Sequence, residues 1–175
     1  LQKLKSRVEH ANDLAEYSKK VREGVRVIIT GPPNAGKSSL INCILDENLS
    51  IVTDEPGTTR DIISSTVDID GILVNFYDTA GLHETKNNIE AEGIRRAREL
   101  LKISDIQIRV VDGSEAFWKE NLIKIPKLND LTIDVINKSD LVAIKIQEGT
   151  NCYNVSIKTN HNIKDFKKAL KKNIK

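Results

Sequence analysis

This chain encodes an α/β fold: a mostly parallel six-stranded sheet with one antiparallel edge strand, and helices on both faces. Three features point to it. A buried-strand run, Val25-Arg26-Val27-Ile28-Ile29-Thr30, leads directly into the glycine-containing stretch Gly31-Pro32-Pro33-Asn34-Ala35-Gly36-Lys37-Ser38-Ser39 and then into a helical run. Two strand-like runs, residues 62–69 and 72–77, flank Asp70-Gly71, a dipeptide that signals a hairpin. Beyond the hairpin, strands alternate with helices, which is the order of a parallel sheet.

The 175 residues suffice for one domain with a sizeable core and an appended element. Charged residues make up 30% and the formal net charge is +2, which gives no global electrostatic argument for nucleic acid or an anionic membrane and leaves both open. Cys43 and Cys152 are too few for a disulfide framework, and a reduced, cytoplasmic protein is expected. No apolar run approaches the length of a bilayer, so no membrane association is expected. Methionine is absent, and the chain is therefore expected to be a fragment of a longer protein.

Residues 1–22 carry apolar positions at helical spacing and are expected to form a helix, either one that packs on the rest of the chain or, the favoured expectation, the end of an adjacent helical domain, with residues 23–175 as the second unit. The first strand and residues 31–39 open that unit, and Leu40-Ile41-Asn42-Cys43-Ile44-Leu45 continues it as a helix. Residues 48–61 are rich in Pro, Gly, Thr and Asp and form a long loop, a class that tends to carry function. The hairpin follows, ending in Asp78-Thr79-Ala80-Gly81. Residues 89–103 are predicted helical, 106–111 a strand, 117–127 helical or irregular, 131–136 a strand, 152–155 a short strand and 163–174 the last helix. The lysines of the tail (Lys164, Lys167, Lys168, Lys171, Lys172, Lys175) are expected on a solvated helix face.

The chemistry-bearing motifs follow strand ends, where ligands sit in such sheets. Gly31, Gly36, Lys37 and Ser38 match G-x-x-x-x-G-K-[ST], a phosphate loop, between a strand and a helix as that motif requires. Its glycines let successive N–H groups of Asn34, Ala35, Gly36, Lys37, Ser38 and Ser39 face a phosphate at a helix N-terminus. Lys37 is placed to reach β- and γ-phosphates, and the Ser38 hydroxyl to ligate Mg²⁺. Asp78 is placed to hold the same ion through water, and Gly81 leaves its N–H open to a γ-phosphate. Asn137-Lys138-Ser139-Asp140 provides base specificity: the Asp140 carboxylate accepts two hydrogen bonds from the N1–H and 2-amino group of guanine, a donor pair adenine lacks. The stem of Lys138 could cover the base plane, and Ser156-Ile157-Lys158 follows the last short strand.

Taken together, GPPNAGKS, GTTRD, DTAG, NKSD and SIK resemble the five motifs of translation-factor-class GTPases, from residue 24 through the last helix. Within them, Asn34 in PNAGKSSL, the GTTRD box and DTAGLHETKNNIEAEGIRRA resemble the G domains of the MnmE (TrmE) family of tRNA-modification GTPases, in the wider TrmE-Era-EngA-like group. The resemblance implies a Ras-like P-loop GTPase fold and hydrolysis of GTP to GDP and phosphate with Mg²⁺. It also implies homodimerisation through the G domains, an MnmG-like partner and tRNA as partners of the full-length protein, and a part in placing an aminomethyl-type group at C5 of the wobble uridine.

Ras-like GTPases place a glutamine after DTAG to orient the attacking water, whereas Leu82 stands here and cannot hydrogen-bond water. The resemblance assigns that task to Glu90, acting through a second water, with Glu84 and Glu92 as rivals. It further implies K⁺ in place of an arginine finger, held by the Asn34 side-chain oxygen and by backbone carbonyls of the loop 53–57, Thr53 and Glu55 among them. Thr59 is the expected switch Mg²⁺ ligand and γ-phosphate sensor, with Thr58 as rival, and Arg60 and Asp61 position the switch. Two residues depart from the family pattern: His83, where arginine is common, and Ile157, where alanine is usual in the base-contacting loop. His10 and His161 receive no role. Two other readings share these motifs: a nucleotide-gated interaction switch, and a ribosome-assembly GTPase of the Era/EngA type.

Overall fold

The structure, a computed structural model, describes residues 5, 8, 15, 18, 20–46, 65–78, 102–128, 131–147 and 149–174. In chain order these form β1 (Val25–Thr30), α1 (Lys37–Leu45), β2 (Ser65–Ile69), β3 (Ile72–Asp78), β4 (Ile106–Asp112), α2 (Trp118–Lys124), β5 (Thr132–Asn137), β6 (Cys152–Asn154) and α3 (Ile163–Ile174). The strands make one six-stranded sheet in the order β2-β3-β1-β4-β5-β6. Only β2 against β3 is antiparallel, so the expected single antiparallel edge strand is present.

The hairpin owes its turn to Asp70 (φ 55°) and Gly71 (φ 84°), two successive left-handed residues that match the twist of the flanking strands. Asp68 Oδ1 accepts from the Gly71 N–H at 2.7 Å and closes the turn. The turn sets register: Val67 pairs with Val74 and Ile69 with Ile72, and all four are buried.

Strand periodicity sends alternate residues to opposite faces. On one face Val25, Val27, Ile29, Val74, Phe76, Ile108, Val110, Ile133 and Val135 join Leu40, Ile41 and Ile44 of α1 and Phe166, Leu170 and Ile174 of α3 in one buried cluster. Tyr153 meets Phe166 edge-on at 6.1 Å between centroids, a geometry contributing about 1 kcal/mol beyond area burial. Lys167 is a correction to the expected solvated lysine face. It is buried, and its Nζ donates to the Cys43 carbonyl at 2.5 Å. The last carbonyls of a helix lack partners within it, and α1 has no basic residue in its own last turn. Lys167 supplies that cation from α3. Cys43 itself is only partly buried.

The other face is polar at the centre of the sheet. Ile28 lies in register with Gln107, and Gln107 with Thr132. Gln107 donates to Thr30 Oγ1 at 3.2 Å and to the Pro126 carbonyl at 3.0 Å, and accepts from Leu128 N–H at 3.1 Å. Arg109 forks onto Asp134 (Nε to Oδ1 2.7 Å, Nη2 to Oδ2 2.8 Å) and donates through Nη1 to the carbonyls of Leu122 (3.2 Å) and Ile125 (2.7 Å). These bonds hold α2, which buries no residue, and the chain after it against the sheet.

Element boundaries differ slightly from the sequence expectations. The phosphate-loop helix starts at Lys37 rather than Leu40, β5 is displaced by one residue at each end, and β6 stops at Asn154 although Val155 N–H still donates to Ile136 at 2.8 Å. The described residues before β1 (5, 8, 15, 18 and 20–23) are helical. Most of the expected helix 89–103, and residues 62–64 of the first hairpin strand, lie outside the described residues.

Arg109→Ala would leave the Asp134 carboxylate without its fork and two carbonyls without a donor, a change that costs about 3 kcal/mol at a buried pair. Urea unfolding of the variant should show a loss of unfolding free energy of that order, and a loss below about 1 kcal/mol would mean the fork does not hold α2.

Candidate functional site

A cavity of about 1060 Å³ opens at the C-terminal ends of β1 and β5, ample for a ligand of nucleotide size. Asn34, Gly36, Lys37, Ser38 and Ser39 line it from the phosphate loop; Asn137, Lys138, Asp140, Ile157 and Lys158 line it from the other side. Ala35 and Ser156 are fully buried behind this lining, and Asp78 joins it through Ser38. Thr53, Glu55, Thr59, Gly81 and Glu90 lie outside the described residues, as do Thr58, Arg60, Asp61, Leu82, His83, Glu84 and Glu92.

Gly36 is the N-cap of α1, with φ 96° and no side-chain capping bond. The first N–H groups of a helix have no partner within it, so an anion at this mouth would satisfy them. A side chain is not admissible here: a Cβ on Gly36 would stand 2.3 Å from Asn137 Nδ2. Lys37 is buried, and its Nζ donates to the carbonyls of Gly31 (3.0 Å) and Pro32 (2.8 Å). Burial lowers its pKa below the ordinary lysine value, opposed by the nearby Asp78 carboxylate.

Ser38 Oγ donates to Asp78 Oδ2 at 2.7 Å. β1 and β3 run in register there, with Ile29 opposite Asp78, which brings the carboxylate beside the loop. A hydroxyl and a carboxylate oxygen are the hard donors Mg²⁺ takes, together with phosphate oxygens and water. Among the described residues no three His, Cys, Asp or Glu side chains gather to bind a metal by themselves. Among the described residues, Ser38 and Asp78 are the side chains placed to contribute to a divalent site together with oxygens of the ligand.

At the other end Asn137, buried at the tip of β5, donates through Nδ2 to the Ala35 carbonyl at 3.0 Å and accepts from Ile157 N–H at 3.4 Å. Asp140 is exposed, and Oδ1 accepts from Ser156 Oγ at 2.6 Å. That hydrogen bond holds its carboxyl below the ordinary range. Ile157 packs partly against the core.

One neighbour went unnoticed in the sequence. Asp112, the last residue of β4, pairs in register with Asn137, and its Oδ2 takes the Lys138 ammonium at 2.5 Å. The available signal was the same one that marks Asp78: a carboxylate at the C-terminal end of a central parallel strand.

An anion on Lys37 favours its charged form, so the lysine pKa rises on binding. Affinity is then full below the lowered pKa of the empty site and falls as pH climbs through it toward the bound value. Calorimetry of GDP binding at alkaline pH, in two buffers of different ionisation enthalpy, should show proton uptake, part of which disappears in Lys37→Arg. Uptake unchanged in that variant would place the titrating group elsewhere.

A family model described as 50S ribosome-binding GTPase matches residues 26–145. The chain is 42% identical to the tRNA modification GTPase MnmE of Mycoplasma mobile over 81% of its own length and 33% of that protein's. It is 37% identical to the MnmE of Finegoldia magna over 97% of its length and 38% of that protein's. The chain thus spans about a third of the length of these relatives. Among solved structures, the GDP·aluminium-fluoride complex of an Aquifex aeolicus Era variant matches at TM-score 0.59 and 25% identity, covering 84% of this chain and 56% of that one. The G domain of the T. maritima FeoB iron transporter matches at TM-score 0.59 and 20% identity, covering 86% and 99%, which speaks to the fold alone. With the phosphate loop, the Asp78 strand end and the Asn137–Asp140 motif on one cavity, the chain belongs to this GTP-hydrolysing family and is a G domain of the MnmE kind.

Proposed function

We propose that this G domain hydrolyses GTP in a K⁺-dependent manner, pairing with a second copy across its nucleotide face, and that the whole protein acts in modifying C5 of the wobble uridine of tRNA. Residues 1–22 then belong to a neighbouring helical domain, and residues 23–175 to the G domain. The observation that carries the reading is Asn34. It stands exposed on the phosphate-loop side of the cavity in a left-handed conformation, φ 60°, beside the residues that would take the phosphates. An amide oxygen there suits a hard monovalent cation, completed by ligand oxygens and by carbonyls of Thr53 and Glu55. The MnmE relatives support the tRNA role, and an MnmG-like partner belongs to the same reading.

In this reading the loop amides from Asn34 to Ser39 and Lys37 orient the phosphates, while Ser38, Thr59 and Asp78 would hold Mg²⁺, which would supply charge neutralisation when bound. Gly81 meets the γ-phosphate, and Glu90 directs the attacking water. Asp140 reads guanine, with Asn137, Ser156, Ile157 and Lys158 supporting it and Lys138 lying against the base. A ribosome-assembly role is the second reading, favoured by the family description and the Era structure. The identities of 37–43% to MnmE proteins, against 25% to Era, favour the first.

Hydrolysis measured in matched KCl and NaCl buffers, with self-association followed in GDP and aluminium fluoride, should be much faster in K⁺ and should show K⁺-dependent dimers. Glu90→Ala should then abolish turnover with GTP affinity nearly intact. Equal rates without dimers, or full turnover in the variant, would overturn the K⁺ site or the glutamate respectively. Asp140→Asn exchanges an acceptor for a donor and should shift preference toward xanthine nucleotides; unchanged guanine selectivity would remove Asp140 as the base reader.

A further inference from the structure

Lys138 has an unusual place in the chain. Its backbone is left-handed, φ 64°, in a residue type that rarely adopts that region, and such conformations persist where the surroundings over-determine them. Two neighbours do so here. Gly113 N–H donates to the Asn137 carbonyl at 2.8 Å and Ser139 N–H to the Val155 carbonyl at 3.0 Å, so the backbone on either side of Lys138 is tied down. The side chain is then fixed at its far end by Asp112, at 2.5 Å.

Asp112 is built as an anchor. It is 6% exposed, and its second oxygen accepts from both Ser114 N–H (2.9 Å) and Ser114 Oγ (2.6 Å). Burial alone would push its carboxyl up, but the bonds from Lys138 and Ser114 together outweigh that and keep it ionised. A buried carboxylate held in a single orientation gives the lysine one place to put its charge. Lys138, held between that anchored charge and the left-handed backbone, lines the cavity.

We propose that Asp112 is a positioning residue for nucleotide binding, which clamps the ammonium of Lys138 so that the lysine stem forms a pre-set apolar wall for the guanine base. The inference rests on the assignment of Lys138 to the base. Holding a long side chain in its bound rotamer before the ligand arrives removes an ordering cost from binding. Asp112 thus acts on affinity through Lys138 and touches no reacting atom. The consequence is a specific pattern: weaker ground-state binding, expressed in faster release and higher KM, with kcat retained.

Release of fluorescently labelled GDP, followed by stopped flow on the whole chain, tests this in five variants, the fifth combining Ser114→Ala with Lys138→Met. Asp112→Asn keeps the shape and should release GDP about tenfold faster, Lys138→Met at least as fast, and the double variant no faster than Lys138→Met alone. Ser114→Ala, which loosens the carboxylate without removing it, should speed release about threefold, and only when Lys138 is present; it serves should Asp112→Asn fail to fold by circular dichroism. Additive effects of the Asp112 or Ser114 changes in the Lys138→Met background, or unchanged release in both single variants, would overturn the positioning role. Unchanged release in Lys138→Met would instead overturn the base assignment of the lysine itself.

Discussion

The site depends on the side chain of Asn137. Its amide nitrogen bonds the Ala35 carbonyl across a sequence separation of 102 residues, and its oxygen receives the Ile157 N–H. Its own carbonyl accepts from Gly113. One buried residue therefore joins the phosphate loop and the loop after β6 through its side-chain amide, and the turn after β4 through its backbone carbonyl. Burying an amide is unfavourable unless every polar atom finds a partner, and here both ends do. The absence of a side chain on Gly36 follows from the same contact, since a Cβ would collide with Asn137 Nδ2. The phosphate end and the base end of the cavity are consequently set at a fixed distance by chemistry that no ligand has to supply.

Much of this was legible because local rules and tertiary demands coincide. Asp70-Gly71 needs two left-handed residues and places the antiparallel strand correctly, and the strand-loop-helix around Gly31 to Ser38 forms as its motif requires. Alternation in β4 was less transparent. Ile106, Ile108 and Val110 mark a buried strand, but Gln107 and Arg109 lie on the sheet's other face and are also buried. Their burial is tolerable only through Thr30, Thr132, Asp134 and the carbonyls after α2, contacts up to 77 residues away that no local pattern announces. Lys167 illustrates the same limit: it meets a last-turn carbonyl of α1, a matter of helix docking rather than of composition.

Asp112 escaped for a different reason. Asp78 was read because a motif surrounds it, whereas Asp112 sits in Val110-Val111-Asp112-Gly113-Ser114, which reads equally well as a strand ending in a turn. Its partner becomes visible only through the β4–β5 register, which sets it opposite Asn137 and hence beside Lys138.

The distribution of hydrogen-bonding capacity decides how such a site takes a ligand. Lys37 has three donors, and two are spent on Gly31 and Pro32, so its orientation is fixed while one donor stays available to a phosphate. Asp140 has room for about four hydrogen bonds, and Ser156 uses one, turning the carboxylate without filling it. The Ser38–Asp78 bond is of another kind, because the hydroxyl donates its only proton there and a cation between the two oxygens must replace that bond. In the proposed reading, phosphate and base recognition would proceed by adding bonds to groups already in position, whereas metal binding would proceed by exchange. A ligand that brings its own Mg²⁺ would offset the exchange with phosphate–metal contacts; one without the metal would leave the Ser38–Asp78 bond intact and, among the described residues, meet the loop amides and Lys37.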